Sequence, residues 1–322
     1  MPAHPRTNAY TRLKARAKPR FCYICCGAVP PRYKYCARCN EYLDQGREIS
    51  AHVLALKAAW DPVAKGFRCY YTNVILEERD LSSPWYITFD HRIPGKKGDL
   101  VVCAAWVNSM KNQLSEEEFK AVIIELARCR EAGEPFNMAV AKFEYWRGGV
   151  SPKPKKLRSL TNPRIPKVGH CFICSATTFP YSLYCPRCRD IILRVNTDMM
   201  EHAAAAKSAW DREKKAFICY LTGLALDTSD NKSPLFLTFD HQIPRKPGTM
   251  KVAAAFVNVM KNALSEEEFW LVVKELARHF QTGEPFDKDI IKFAYWKGWA
   301  PARRRAARAR RSRRTAARSR RG

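Results

Sequence analysis

Two short segments, "WYITFDH" and "LFLTFDH", cluster β-branched and aromatic residues and stop on an Asp-His pair, which predicts a strand ending at Asp90–His91 and another at Asp240–His241. Pro94 or Pro244 and the glycines that follow break each strand into a loop. The chain returns as a short strand, "LVV" or "MKV", and "CAAWVNSMKNQ" or "AAAFVNVMKNA" then opens a helix. Next comes "LSEEEF", where Ser115 with Glu118, and Ser265 with Glu268, form a capping box. It precedes the apolar-periodic helices "FKAVIIELARCREAG" and "FWLVVKELARHFQTG", for which Gly133 and Gly283 are natural C-terminal stops.

The doubling extends along most of the chain. "FCYICCGAVPPRYKYCARC" is matched by "HCFICSATTFPYSLYCPRC", "KAAW" at Trp60 by "KSAW" at Trp210, and "GEPF" and "KFEYW" by "GEPF" and "KFAYW". The offset is 149 at the cysteines and 150 afterwards, so a long-period repeat predicts two tandem modules over residues 21–146 and 171–300. Pro152, Pro154, Pro163 and Pro166 mark a linker over 147–170.

Each module opens on a metal-binding pattern. Cys22 and Cys25 are followed after ten residues by Cys36 and Cys39, and the spacing recurs in Cys171, Cys174, Cys185 and Cys188. Two Cys-x-x-Cys turns bring four thiolates around one tetrahedral Zn²⁺, so two structural zinc ions per chain are expected. Disulfides are disfavoured in a chain without a secretory signal. Cys26 is matched by Ser175 and Cys103 by Ala253, so neither reads as a ligand, and Cys69 and Cys219 read as small buried residues. His52 and His202 also recur and read as packing or surface features.

Charge changes the picture through its placement. The formal net charge is +26, yet residues 1–20, 147–170 and 301–322 hold six, seven and eleven Lys/Arg with no Asp or Glu, leaving only +2 for the rest. An arm, a linker and a tail of this composition lack the apolar content to fold alone and are expected to be disordered. They suit a phosphate backbone, whose counterions are released when Lys or Arg binds. Arg303, Arg304, Arg305, Arg308, Arg310 and Arg311 are the tail's candidate nucleic-acid contacts, the alternative being a solvated low-complexity tail. No apolar stretch approaches about 20 residues and the basic N-terminus has no apolar run behind it. An intracellular location, cytoplasmic or nucleoid-associated, with no membrane partner is therefore expected.

The strand–loop–strand–helix order with Asp90 and His91, then Asn108 and Lys111, resembles the ββα-metal core of HNH endonucleases, and Asp240, His241, Asn258 and Lys261 repeat it. The resemblance covers roughly residues 67–115 and 217–265, and a four-cysteine zinc site beside such a core is familiar in that family. It implies an α+β fold of two modules, each a zinc ribbon, a ββα-metal core and C-terminal helices. The implied activity is metal-dependent hydrolysis of nucleic-acid phosphodiesters, with double-stranded DNA as partner and the repeat acting as an internal pseudo-dimer. Asp90, Asn108, Asp240 and Asn258 would hold a catalytic Mg²⁺ or Mn²⁺, which hard oxygen ligands favour over zinc. His91 and His241 would be general bases. Lys111 and Lys261 would touch phosphate or be ordinary surface lysines. The family's middle Asn, which steadies the loop carrying the base, is Asp99 in one module and Thr249 in the other. Asp99 can still accept loop hydrogen bonds, whereas Thr249 offers a shorter hydroxyl, so the first site is expected to be the more competent one. A scaffold that binds nucleic acid without turnover is the alternative, and an Asp-His pair beside a strand is also a common structural hydrogen-bonded pair.

Overall fold

The structure, a computed structural model, describes residues 20–30, 33–43, 48–148, 169–178, 182–193 and 198–298. Nearly all of the basic arm, most of the linker and the whole Arg-rich tail, with its six candidate arginines, lie outside the described residues. The fold is mixed α/β, with eight α-helices and six two-stranded sheets among the described residues. No described helix is long and apolar enough to cross a membrane.

In the first half, β1 (Arg20–Phe21) and β2 (Ala28–Val29) form a small hairpin, followed by α1 (Ala37–Leu43) and α2 (Ile49–Ala59). A second hairpin, β3 (Trp60–Asp61) with β4 (Gly66–Phe67), leads to the central one, β5 (Ile87–His91) with β6 (Leu100–Ala104). Two helices complete the half, α3 (Ala105–Lys111) and α4 (Glu116–Ala132). The same order returns as β7 (Gly169–His170), β8 (Thr177–Thr178), α5 (Pro186–Leu193), α6 (Met199–Ala209), β9 (Trp210–Asp211) and β10 (Ala216–Phe217). It ends with β11 (Leu237–His241), β12 (Met250–Ala254), α7 (Ala255–Lys261) and α8 (Glu266–Thr282).

The central hairpin is antiparallel, with Ile87 opposite Ala104 and His91 opposite Leu100. Cys103 and Ala104 belong to β6 and not to the helix the sequence predicts, because they continue the ladder with Thr88 and Ile87. Strand alternation puts Thr88 and Asp90 on the face covered by α3, while Phe89 meets α2 through its stack on His52 at 4.3 Å between ring centres. His202 stacks on Phe239 in the same way at 4.6 Å, so both histidines are packing residues. The capping boxes form at both Ser115–Glu118 and Ser265–Glu268, and the helices they start end on Gly133 and Gly283 in left-handed conformation.

The halves are not separate domains side by side. α4 packs on α8 and α3 on α7, and the segments after α4 and α8 each cross to the other half. The amide of Phe136 donates to the Thr222 carbonyl at 2.9 Å, and that of Phe286 donates to Thr72 at 3.4 Å, the same contact displaced by 150. Phe136 and Phe143 pack on Phe256 at 5.5 and 5.0 Å, while Phe286 and Phe293 pack on Trp106 at 5.6 and 5.5 Å. Arg130 lies over Trp270 and Lys120 over Phe280, again reciprocally. Such self-complementary pairing is the mark of a two-fold interface, here within one chain. Each crossing segment then returns to its own half, where the amides of Glu144 and Ala294 donate to the capping-box acids Glu118 and Glu268.

Phe136 and Phe286 are 2% and 4% exposed, so truncating either to Ala should cost about 3–5 kcal/mol. Because each ring fills a pocket of the opposite half, urea unfolding of either variant should remain one transition, with both halves shifting together. Two separated transitions in Phe286→Ala would show that the halves fold independently.

Candidate functional sites

Each four-cysteine ribbon is built from two knuckles. In the first, the Cys22 amide donates to the Gly27 carbonyl at 2.7 Å and that of Cys26 to Cys22 at 3.0 Å, turning Cys25 back toward Cys22. The second knuckle places Cys39 in the first turn of α1, its amide 3.4 Å from the Cys36 sulfur. The four Sγ atoms of Cys22, Cys25, Cys36 and Cys39 lie within 4.8 Å of one another, as do those of Cys171, Cys174, Cys185 and Cys188. Tetrahedral zinc with bonds of ~2.3 Å separates its sulfurs by about 3.8 Å, and the closest pairs, Cys25–Cys36 and Cys174–Cys185, stand at 3.6 Å. Both groups can therefore hold a zinc ion. Arg38 joins the first ribbon to the body by pairing with Glu78 and lying over Trp60 at 4.9 Å. Arg187 lies over Trp210 at 5.4 Å in the second.

The second site grows from the hairpin and its helix. Asn108, on α3, donates its amide nitrogen to the Phe89 carbonyl at 3.0 Å and to Thr88 Oγ1 at 3.3 Å. Asn258 makes the same two bonds to Phe239 and Thr238. One turn further on, Lys111 and Lys261 are 0% exposed. Lys111 Nζ lies 3.0 Å from Asp90 Oδ2 and donates to the His91 carbonyl at 2.8 Å. Lys261 repeats both contacts, to Asp240 and His241. These lysines are therefore neither phosphate contacts nor surface residues. Burial removes them from any backbone outside, and their charge is spent inside the fold on a carboxylate.

A tyrosine completes each cluster, from a different position. Tyr71 donates to Asp90 Oδ2 at 2.9 Å, whereas in the second half the donor is Tyr220, at 2.6 Å, which aligns with Tyr70. Tyr70 is left half exposed and donates to Glu116. Asp90 and Asp240 are 7% and 8% exposed. Burial pushes both carboxyls above the ordinary carboxylate range, against the opposing pull of the lysine ammonium and tyrosine hydroxyl. Burial and the adjacent carboxylate push the two tyrosines up as well.

The halves differ where it matters for a ligand. Asp90 receives Tyr71 and Lys111 on Oδ2 alone, and among the described residues Oδ1 accepts no hydrogen bond. Asp240 is contacted by Lys261 on both oxygens, at 3.2 and 3.1 Å. With its nitrogen anchored, Asn108 keeps an amide oxygen to present, so the first half offers two hard oxygens, the donor set that suits Mg²⁺ or Mn²⁺. The ammonium beside Asp90 lowers the attraction for such an ion.

The substitutes for the middle Asn work in the opposite sense to the expectation. Asp99 does not bond the loop backbone through its side chain but receives the Arg92 guanidinium at 2.5 Å. Thr249 donates directly to the loop carbonyls of Lys246 and Ile243, at 2.7 and 3.3 Å. In both halves the loop base is closed between backbones, Arg92 to Asp99 and Gln242 to Thr249. An acid at the start of α2 or α6 also grips the loop, Glu48 at the Gly98 amide and Glu201 at the Gly248 amide. Sequence reasoning missed this acid and the tyrosine. The recurring "TFDH" and the Tyr-Tyr of "CYYT" were the available signals. His91 and His241 end their strands, and His241 Nδ1 is buried without a hydrogen-bond partner.

No family model matches the chain, and no curated protein or solved structure matches it either.

Metal analysis of the gently purified protein should give two zinc ions per chain, and Cys36→Ser or Cys185→Ser should remove one each. Binding of this kind contributes on the order of 10 kcal/mol to folding, so the ribbon that loses its ion should melt. A variant that keeps two zinc ions would place the metal elsewhere. Lys111→Met leaves a buried carboxylate without its cation and should cost about 3–5 kcal/mol at neutral pH. The Asp90 pKa is already raised in the folded state and rises further without the ammonium, so the folded variant takes up a proton before the unfolded chain does as pH falls. Its deficit is therefore full above that folded-state pKa and shrinks as pH drops through it, which urea unfolding at neutral and mildly acidic pH measures. A deficit independent of pH would detach Asp90 from the effect.

Proposed function

We propose that the chain is a metal-dependent endonuclease of HNH type, built as two tandem ββα modules each preceded by a zinc ribbon, with turnover centred on the first half. The observation that carries this reading is the pair of anchored ligands there. Asn108 is held through its nitrogen, and Tyr71 and the closest approach of Lys111 both fall on Asp90 Oδ2, so Asp90 Oδ1 and Asn108 Oδ1 accept no hydrogen bond among the described residues. A divalent ion on Asp90 and Asn108 would neutralise charge developing on the phosphate. His91, at the strand end, accepts the proton of the attacking water, a role imidazole side chains commonly fill. Lys111 and Tyr71 act through Asp90 and fix its rotamer. The second half, whose Asp240 has both oxygens on Lys261, serves the substrate more than the reaction. The basic arm, linker and tail hold nucleic acid without regard to sequence.

Binding without turnover is the second reading, favoured by the same lysine, whose ammonium 3.0 Å from Asp90 already supplies the charge a metal would bring. Supercoiled plasmid incubated with Mg²⁺, with Mn²⁺ and with EDTA separates the two. Nicking that requires the divalent ion, falls by about 10²–10⁴ in His91→Ala and falls less in His241→Ala supports the nuclease. Plasmid retardation with no nicking in any metal selects the binding protein.

A further inference from the structure

The first zinc ribbon carries side chains that zinc binding does not require. Cys22 is 1% exposed, and its neighbours Phe21 and Tyr23 project the other way, 63% and 45% exposed. Tyr33, before the second knuckle, is 64% exposed. The knuckles are joined by the Tyr23 amide, which donates to the Lys34 carbonyl at 3.1 Å, and Lys34 Nζ sits 5.0 Å from the Tyr23 ring centre. Lys57, from the last turn of α2, approaches the same ring to 4.1 Å. Lys34 and Lys57 thus both stand against the Tyr23 ring, with the exposed Phe21 two residues before it and the exposed Tyr33 next to Lys34.

Rings left in water forgo the roughly 1.5–3 kcal/mol that burying a large apolar side chain contributes, so the core does not account for them. The second ribbon shows what the fold itself needs. At the places of Phe21, Tyr23, Tyr33 and Lys34 it has His170, Phe172, Ser182 and Leu183; the Phe172 amide still donates to the Leu183 carbonyl at 2.9 Å and Lys207 still approaches the Phe172 ring to 4.1 Å, but the second cation is gone. Two of the three rings and one lysine are therefore particular to the first half.

We infer that the first zinc ribbon is a binding surface for single-stranded nucleic acid, with bases stacked on Phe21, Tyr23 and Tyr33 and phosphates paired with Lys34 and Lys57. Flat rings beside cations match a strand whose base faces are free, and in a duplex those faces are already stacked on one another. An apolar protein partner would instead desolvate two ammonium groups without pairing them. The surface also stands in register with the hairpin. Glu48, the N-cap of α2, grips the Gly98 amide in the hairpin loop, and Lys57, about 14 Å further along the helix, lies on the Tyr23 ring. The binding surface holds whether or not the hairpin site turns over.

The test is fluorescence anisotropy of a labelled oligothymidylate titrated with the full zinc-loaded chain, without added divalent ion. Phe21→Ala/Tyr33→Ala should weaken binding about fivefold to a hundredfold for each stacked base lost, leaving the salt slope of log K unchanged. Lys57→Ala should instead lower that slope by about 0.7, and Phe172→Ala should change neither. Phe21→Trp/Tyr33→Trp keeps the stacking faces and should bind at least as well as the parent. Binding by the alanine pair within twofold of the parent, at two zinc ions per chain, would overturn the assignment, as would an equal loss on duplex DNA. If the alanine pair loses zinc, the tryptophan pair decides, and a tenfold weakening there would overturn it.

Discussion

The buried ammonium of Lys111, repeated in Lys261, pins the end of a hairpin strand to the helix that follows it. It belongs to α3, yet its contacts are the Asp90 carboxylate and the His91 carbonyl, both on the last two residues of β5. Removing two charges from water costs several kcal/mol per ion, and the pair recovers this only when the geometry is good and the remaining donors and acceptors are satisfied. Tyr71 supplies an extra donor to the carboxylate, and the strand carbonyl takes a second lysine proton. The result is a hairpin end that cannot shift against its helix without exposing or orphaning a charge. The positions of Asp90, His91 and Asn108 relative to one another follow from that constraint.

A second constraint acts between the halves. Because Phe136 and Phe143 complete the cover of α7 while Phe286 and Phe293 complete that of α3, neither half can close its own core around the helix that carries its Asn. Phe143 and Phe293 take left-handed backbone conformations, unfavourable for a bulky side chain, at the bend after each crossing. Burial of the rings outweighs that cost. The two halves therefore share one packed core, which ties the geometry of the two sites together even though their carboxylates are held differently.

The sequence made some of this legible and hid the rest for physical reasons. The capping boxes, the helix stops and the two four-cysteine groups are set by neighbours a few residues apart, so spacing alone revealed them. The strand–loop–strand–helix order was legible because the change of hydrophobic period is local too. Lys111 was misjudged because nothing in a lysine's own neighbourhood says that it is buried, and its partner Asp90 lies across the hairpin. Thr249 and Asp99 were ranked by side-chain length, when the actual difference is which partner each finds, a loop carbonyl or an arginine. The exchange of segments was invisible because a repeat displaced by 150 looks the same whether each "GEPF" packs on its own half or on the other.

The exchange also decides from where the ends of the described chain depart. Gly148 lies against Asn231 and Lys232 of the second half, and Gly298 against Leu81 and Ser82 of the first. Both glycines have positive φ, and a Cβ at Gly298 would come within 3.0 Å of the Leu81 carbonyl, so the approach is a tight one. Residue 298, the last one described, is thus seated on the first half, although in sequence it closes the second.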